Sequence, residues 1–273
     1  MVEAQGEAEP ENEPEQRIAP IVIADAVLSL SVWVDRLISG HCKSKLRVWN
    51  VMTGTCDQVL AGHKCDVNAL AVCGPRLVSG SDDGSIKVWA MNATAPWTWE
   101  RTLQPTGQRN VDKVWSLLGW NGKLLSGSEK SIIGVWDVGT GQHTATLVGH
   151  DGAVYALAVH EDRLFSSSHD STIRMWALGT WAMLRKVACG KEQYPRCLAV
   201  SGSQLVSGSF TDHEFLADPP KEQVELLVWD LQSLDLQHTL PQPAGTDVLA
   251  LLAVEGGRWA GVGMDVVVWR RRV

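Results

Sequence analysis

Apolar and polar residues alternate in short runs along this chain, and the runs recur in a fixed order. One alternating run opens each of six similar stretches, at residues 26–34, 67–73, 114–120, 154–160, 196–200 and 248–254. Strict alternation over four to eight residues is typical of a half-buried β-strand, whereas an amphipathic helix repeats every 3.6 residues. The runs are rich in Val and are separated by Gly, which further disfavours helix. The pattern therefore predicts an all-β protein.

Each stretch continues with the same sequence of signals. A tight turn follows the first run, then a second run containing a Ser/Gly/Ser cluster, then a third run that ends in Trp, and finally a fourth short run. The six Trp residues are separated by 40, 47, 40, 53 and 40 residues: Trp49, Trp89, Trp136, Trp176, Trp229 and Trp269. A four-stranded unit repeating every 40–45 residues or so predicts a β-propeller, in which stacked sheets cover one another's apolar faces.

Several of these residues resemble the WD40 repeat family. Residues 79–89 and 166–176 match the second half of its repeat closely, and its Gly-His and Trp-Asp pairs are also present: Gly62-His63, Gly149-His150, Trp136-Asp137 and Trp229-Asp230. The resemblance covers about residues 18–273 and implies a single WD40-type propeller. As a guide to function it is weak, because the family serves many processes.

The ends of the chain suggest how the ring closes. The sixth unit stops four residues after Trp269, so it lacks a fourth strand, while residues 18–23 form an apolar run before the first unit. We therefore expect six blades, with the N-terminal run completing the last one, rather than seven, because no stretch is left to build another. Residues 1–17 are rich in Glu and Pro, and we expect them to be a disordered acidic tail.

Composition narrows the class of protein. The chain has 273 residues, 45% of them apolar, and a formal net charge of −7, of which six negative charges lie in the tail. Without a basic surplus, nucleic-acid binding is disfavoured. The sequence shows no membrane-length apolar run and no signal peptide, so we expect a cytoplasmic or nuclear location. Six cysteines without metal spacing predict reduced, mostly buried thiols rather than disulfides or zinc.

Two sets of residues could be mistaken for a catalytic triad. Each places a His, an Asp, a Trp and one of two Ser residues together: His63, Asp83, Trp89 with Ser79 or Ser81, and His150, Asp170, Trp176 with Ser166 or Ser168. Resemblance to the family implies structural tetrads that tie blade strands together. The same set occurring twice favours that interpretation over a hydrolase, and we expect no enzyme activity, cofactor or metal. Units without the Gly-His pair are expected to depend more on apolar packing.

The partner face is predicted from positions that vary between units. The residue after the leading Val or its equivalent often reaches the channel mouth in WD40-like rings; here these residues are Leu28, Asn68, Trp115, Tyr155, Arg196 and Leu249. Trp, Tyr and Arg are enriched at interface hot spots. Arg196 also resembles the arginine with which F-box/WD substrate receptors hold phosphorylated peptides. Further candidates in loops of this face are Lys43, Lys130, Arg109 and, in an insertion, Phe215.

These residues also have simpler interpretations, since Trp115 and Tyr155 could pack between blades and Arg196 could pair with an acidic neighbour. The favoured function is a scaffold that binds peptides or loops of other proteins. One alternative is a substrate-recognition subunit of a ubiquitin ligase that binds (phospho)peptides. Another is RNA binding through Trp115, Tyr155, Arg109 and Lys130. A small-molecule site in the channel has only the tetrads in its favour.

Overall fold

The computed structural model describes residues 25–103, 112–190, 193–210, 225–241, 250–254, 258–262 and 266–270. Within these ranges all regular structure is β-strand. The strands form six antiparallel sheets, five of four strands and one of three. The all-β prediction is therefore confirmed, and each sheet corresponds to one of the six repeat units.

The first three sheets follow the chain without crossovers. The first contains β1 Val27–Trp33, β2 Arg36–His41, β3 Lys45–Asn50 and β4 Cys56–Ala61. The second contains β5 Val67–Cys73, β6 Arg76–Ser81, β7 Ile86–Ala90 and β8 Thr98–Leu103. The third contains β9 Val114–Trp120, β10 Lys123–Ser128, β11 Ile132–Asp137 and β12 His143–Val148.

The last three sheets repeat this order. The fourth contains β13 Val154–His160, β14 Arg163–Ser168, β15 Thr172–Ala177 and β16 Met183–Ala188. The fifth contains β17 Tyr194–Ser201, β18 Gln204–Phe210, β19 Glu225–Asp230 and β20 Leu236–Pro241. The sixth contains β21 Ala250–Val254, β22 Arg258–Val262 and β23 Val266–Arg270.

The sheets stack like the blades of a propeller, and we number them as blades 1 to 6. The first strands of successive blades, β1, β5, β9, β13, β17 and β21, are neighbours and therefore form the inner wall. Four of the five apolar clusters among the described residues lie between two blades rather than inside one. For example, Ile38 and Leu46 of blade 1 pack with Leu77 and Trp89 of blade 2. This arrangement buries both faces of a sheet, as a propeller requires.

The glycine in the Ser/Gly/Ser cluster is explained by this stacking. A Cβ built on Gly127 would lie 2.7 Å from the carbonyl oxygen of Val154 on the next inner strand, and one on Gly40 would lie 2.9 Å from that of Val67. Real Cβ atoms essentially never approach other atoms so closely. Glycine thus permits the close approach of neighbouring blades at these positions.

Blade 1 carries an apolar stripe with little cover. Leu30 and Val32 on β1 are 59% and 62% exposed, whereas Leu70 and Val72, at the same positions of blade 2, pack against the core between blades 1 and 2. A ring-closing neighbour would pack on this stripe. The proposed closing strand at residues 18–23, the acidic tail and the blade count that depends on closure involve residues outside the described ranges, and they remain predictions.

Candidate partner-binding face

The two predicted tetrads form, and the structure selects one serine in each. In blade 4, the indole Nε1 of Trp176 donates to Ser166 Oγ at 2.9 Å, and Ser166 Oγ lies 2.8 Å from His150 Nε2. In blade 2, Ser79 takes the same place between Trp89 and His63, at 2.9 and 2.7 Å. Ser166 and Ser79 are therefore the tetrad serines.

A carboxylate completes each tetrad and sets the direction of its hydrogen bonds. Asp170 Oδ2 lies 2.9 Å from His150 Nδ1 and also accepts the backbone N–H of Asp151 at 3.0 Å. Burial tends to raise the pKa of Asp170, but hydrogen bonds from His150, Thr172 and Asp151 outweigh it and hold that pKa well below its usual value. An ionised Asp170 can only accept, so His150 donates from Nδ1 and Ser166 donates to Nε2.

Asp83 of blade 2 is held in the same way. Burial opposes its ionisation, whereas hydrogen bonds from His63, Ser85 and the backbone of Lys64 lower its pKa far below the ordinary range. Every polar group of the tetrad therefore has a partner, as buried polar groups require. Ser79 and Ser166 have no exposed surface, so a substrate cannot reach either hydroxyl. The geometry fits strand-tying networks, in agreement with the structural interpretation.

Blade 1 lacks the Gly-His pair and was expected to depend more on apolar packing, but it has a hydrogen-bonded network of its own. His41, from the end of β2 rather than from a Gly-His pair, places Nε2 2.7 Å from Ser39 Oγ, which accepts the Trp49 indole N–H at 2.7 Å. Arg47 continues the network to Asp25 at 2.8 Å. Burial, and then the charge of Arg47, lower the pKa of His41. This network could not be predicted from the sequence, because blade 1 lacks the Gly-His motif.

Blades 3 and 5 retain only part of the network. Trp136 donates to Ser126 at 2.8 Å, and Trp229 donates to Ser207 at 3.0 Å. The Trp–Ser hydrogen bond is thus shared by blades 1 to 5, whereas the histidine and carboxylate are present in only some of them.

Five of the six variable inner positions line one cavity. Leu28, Asn68, Trp115, Tyr155 and Arg196 surround a space of about 310 Å³, together with Asp66 and Asp82. They come from the first strands of blades 1 to 5, which explains why residues about 40 positions apart in sequence converge at the channel mouth. The sixth position, Leu249, lies outside the described residues.

One side of the cavity is aromatic and cationic. The rings of Trp115 and Tyr155 meet edge to face at a centroid distance of 5.6 Å. The Arg196 guanidinium lies 5.8 Å from the Trp115 centroid and 5.5 Å from that of Tyr155, within cation–π range. Glu129 accepts the Trp115 indole N–H, and Lys113 lies over the same ring at 5.8 Å. These contacts orient the Trp115 ring.

The aromatic row continues outward from the cavity. His169, in the turn between β14 and β15, meets the Tyr155 ring edge to face at 5.8 Å and stacks on Tyr194 at 4.3 Å. His169 and Tyr194 were not predicted, because neither occupies one of the variable inner positions.

Two carboxylates, Asp66 and Asp82, also line the cavity. Asp82 accepts a hydrogen bond from the Asn68 side chain at 2.5 Å and pairs with Lys113 at 3.4 Å. Asp66 accepts the backbone N–H of Lys43 at 3.0 Å. Neither carboxylate was predicted from the sequence, since both lie outside the alternating positions. Of the charged residues lining the cavity, two carboxylates and one guanidinium leave a formal charge of −1.

The remaining predicted residues do not line this cavity. Lys43 and Lys130 are exposed in turns between second and third strands, and the Lys130 backbone N–H is held by Asp112 at 3.0 Å. Arg109 and Phe215 lie outside the described residues. The candidate binding site is therefore the mouth cavity, which we define by its lining residues Trp115, Tyr155, Arg196, Asp66, Asp82, Asn68 and Leu28.

Cysteine and metal chemistry add little to this site. None of the six cysteines forms a disulfide; Cys189 and Cys197 are buried, whereas Cys56 and Cys65 are exposed. The expectation of mostly buried thiols is therefore only partly met. Among the described residues, no group of three or more His, Cys, Asp or Glu side chains is placed to hold a metal ion. The same part of the chain has no helix that could cross a membrane.

Comparison with known proteins agrees with this fold. The family described as "WD domain, G-beta repeat" matches residues 54–90 and 141–177. One solved chain, from a crystal structure of the mitotic checkpoint complex, superposes with a TM-score of 0.75 at 22% identity, covering 91% of this chain and 75% of that one. The computationally designed Ika8 protein superposes with a TM-score of 0.67 at 26% identity, covering 90% and 71%.

Curated relatives match only part of their length. A rice protein (Oryza sativa subsp. japonica), zinc finger CCCH domain-containing protein 17, is 34% identical over 56% of this chain and 34% of its own length. WD repeat-containing protein pop2 of Schizosaccharomyces pombe is 27% identical over 51% and 24%. Nuclear distribution protein PAC1 of Arthroderma otae is 30% identical over 59% and 40%. The chain thus spans less than half of these relatives. Together with the repeats and the fold, the matches show WD40 repeats at residues 54–90 and 141–177 within a β-propeller.

Proposed function

We propose that this chain is a non-catalytic interaction scaffold that holds a peptide or an exposed loop of a partner protein in the mouth cavity. WD40-repeat proteins generally serve as protein-interaction scaffolds. The observation that carries the proposal is the convergence of Trp115, Tyr155 and Arg196, from three blades, on one cavity of about 310 Å³. These three residue types are the ones most enriched at interface hot spots.

Preorganisation is the mechanism. The Trp115 ring is held by Glu129 and by two flanking cations, and the inner strands that carry the site are locked between blades. Few side chains must therefore be ordered when a ligand binds, which lowers the entropic cost of association. A rigid propeller with fixed aromatic and charged groups is better suited to binding a short peptide segment than to catalysis.

The charges of the mouth cavity indicate the kind of segment. Arg196 can take a carboxylate or a polar carbonyl, while Asp66 and Asp82 favour a cation or an N–H donor. A segment with both acidic and basic side chains would suit both kinds of charge. A doubly charged phosphate is less well matched, because the lining residues carry a formal charge of −1.

The ubiquitin-ligase interpretation rests on the resemblance of Arg196 and of the short repeat units to F-box/WD substrate receptors, and it would need another subunit to supply the ligase. Phosphopeptide binding is therefore one arm of the test. RNA binding has the stacking surfaces of Trp115 and Tyr155 in its favour, but Asp66 and Asp82 would repel a phosphate backbone. A cytoplasmic or nuclear location is supported by relatives such as nuclear distribution protein PAC1.

The test compares partners captured by the parent chain and by two variants. One carries Trp115→Ala with Arg196→Glu in the mouth cavity. The matched control carries Trp99→Ala with Arg185→Glu, which change an exposed Trp on β8 and an exposed Arg on β16. We expect captured proteins to be lost only from the mouth variant. In calorimetry, peptides from these proteins should bind the parent at least tenfold more tightly than they bind the mouth variant.

Three results would redirect the interpretation. Equal capture by both variants would refute the mouth cavity as the partner site. Binding abolished by phosphatase would favour the phosphopeptide alternative. Binding that is sensitive to RNase and weakens steeply with salt would favour RNA.

A further inference from the structure

A buried arginine in blade 4 is short of hydrogen-bond acceptors. Arg174 on β15 is 4% exposed, and its Nε has no hydrogen-bond partner. Its NH2 group lies 3.6 Å from Asp170 and 3.9 Å from Asp151, beyond ordinary hydrogen-bond distance. Asp170 already accepts from His150, Asp151 and Thr172. A guanidinium carries five donors, so much of its hydrogen-bonding capacity is unused.

The acceptor that Arg174 does contact is a sulfur atom. Its NH1 group lies 3.5 Å from Sδ of Met183 on the outer strand β16. A thioether is only a weak acceptor. Met183 is 50% exposed, so its sulfur contacts a buried cation on one side while the side chain is open to solvent.

Equivalent cations in other blades have oxygen partners. The position two residues before the repeat Trp is Arg47 in blade 1, which binds Asp25 at 2.8 Å. It is Lys87 in blade 2, which donates to the Thr102 hydroxyl at 3.2 Å. Blade 4 thus has a sulfur atom where these two blades have an oxygen.

We propose that Met183 is a site of reversible oxidation whose sulfoxide is held by Arg174. A peroxide transfers one oxygen to Sδ: the O–O bond breaks, an S=O bond forms, and, with hydrogen peroxide, water is released. The sulfur is oxidised, the peroxide is reduced, and Arg174 is unchanged. The sulfoxide oxygen is a polar acceptor, and a charge-assisted hydrogen bond to a guanidinium is stronger than one between neutral groups. Oxidation at this site therefore stabilises blade 4, whereas methionine oxidation ordinarily disrupts packing.

The experiment treats the full chain with dilute hydrogen peroxide and follows every methionine by peptide mass spectrometry. Met183→Leu is the matched control, because its change in Tm reports oxidation at all other methionines. These include Met52, which is 66% exposed. At a dose that converts Met183 but spares the buried Met91 and Met175, we expect the parent Tm to rise by about 2–4 °C. The control should show no rise, and methionine sulfoxide reductase should reverse it.

Two further variants separate this role from a general packing effect. In Arg174→Lys, which keeps the charge but loses the planar fork, the rise should disappear. Met183→Gln supplies an amide oxygen without oxidant and should melt above Met183→Leu, a comparison that stands even if Arg174→Lys does not fold. A fall in Tm on oxidation of the parent, or equal Tm values for Met183→Gln and Met183→Leu, would overturn the proposal.

Discussion

Ser166→Ala is the substitution that tests the tetrad most directly. Ser166 has no exposed surface, and its hydroxyl accepts the Trp176 indole N–H at 2.9 Å while bonding His150 Nε2 at 2.8 Å. Alanine removes one oxygen atom but leaves both partners buried. Leaving a buried polar group unsatisfied costs about 1–3 kcal/mol. With two groups affected, we expect a loss of about 2–4 kcal/mol in the free energy of unfolding.

The adjacent residue provides an internal control. Ser167 is also fully buried, but its hydroxyl has no hydrogen-bond partner. Ser167→Ala removes the same atom without creating an unsatisfied group, so stability should change by less than about 0.5 kcal/mol or should increase. The pair therefore separates loss of a hydrogen-bond network from loss of a buried hydroxyl.

The assay is equilibrium urea unfolding followed by circular dichroism, with the midpoint and slope fitted separately. A second background, Trp176→Phe, removes the indole donor. There Ser166→Ala should cost about 1 kcal/mol less than in the parent, because only His150 is left unsatisfied. Equal losses for Ser166→Ala and Ser167→Ala, or a loss below about 0.5 kcal/mol for Ser166→Ala, would refute the argument.

Three further predictions concern other parts of the ring. The folded-state pKa of His41 is lowered, so its contribution to stability is present above its unfolded pKa of about 6.5 and is lost as pH falls below that value. The urea midpoint of the parent should therefore fall between pH 7.5 and pH 5, and the fall should be smaller in His41→Gln. Gly127→Ala places a Cβ 2.7 Å from the Val154 carbonyl oxygen and should cost about 1–3 kcal/mol of unfolding free energy. Ser167→Ala, at the equivalent position of blade 4, should be tolerated. Equal urea midpoints for the two variants would contradict the stacking argument. Deleting residues 1–24 should lower the Tm of the whole chain, whereas deleting 1–16 should not; equal melting of the two truncations would defeat the closure hypothesis.

The all-β architecture could be predicted because its signals are local and repeated. Alternation with a period of two and the recurring Trp marked nearly every described strand, and first-strand bounds such as Val67–Cys73 and Val154–His160 agreed with the prediction. Repetition also placed the variable inner residues at equivalent positions, so convergence of Trp115, Tyr155 and Arg196 followed from the repeat and from the family resemblance.

Contacts that replace a motif could not be predicted. His41 occupies the histidine place of the tetrad from a different strand position, with Arg47 and Asp25 behind it. Trp97, in the connection between β7 and β8, is 5% exposed and meets Trp33 of blade 1 edge to face at 5.5 Å. Neither arrangement has a spacing that the sequence alone would single out.

The sequence by itself determined the strand order within a unit and the blade repeat, because both depend on residues within one repeat. The family resemblance implied the His, Asp and Trp of the tetrads in blades 2 and 4, and the structure selected their serines. Only the tertiary structure decided the chemistry between blades: the carboxylates of Asp66 and Asp82 that line the mouth cavity together with Arg196, and the contacts of the Tyr155 ring with Trp115 and His169. The physical reason is that neighbouring inner strands bring together side chains roughly 40 residues apart. Which atoms then meet depends on rotamers and backbone approach, and periodicity carries no information about either.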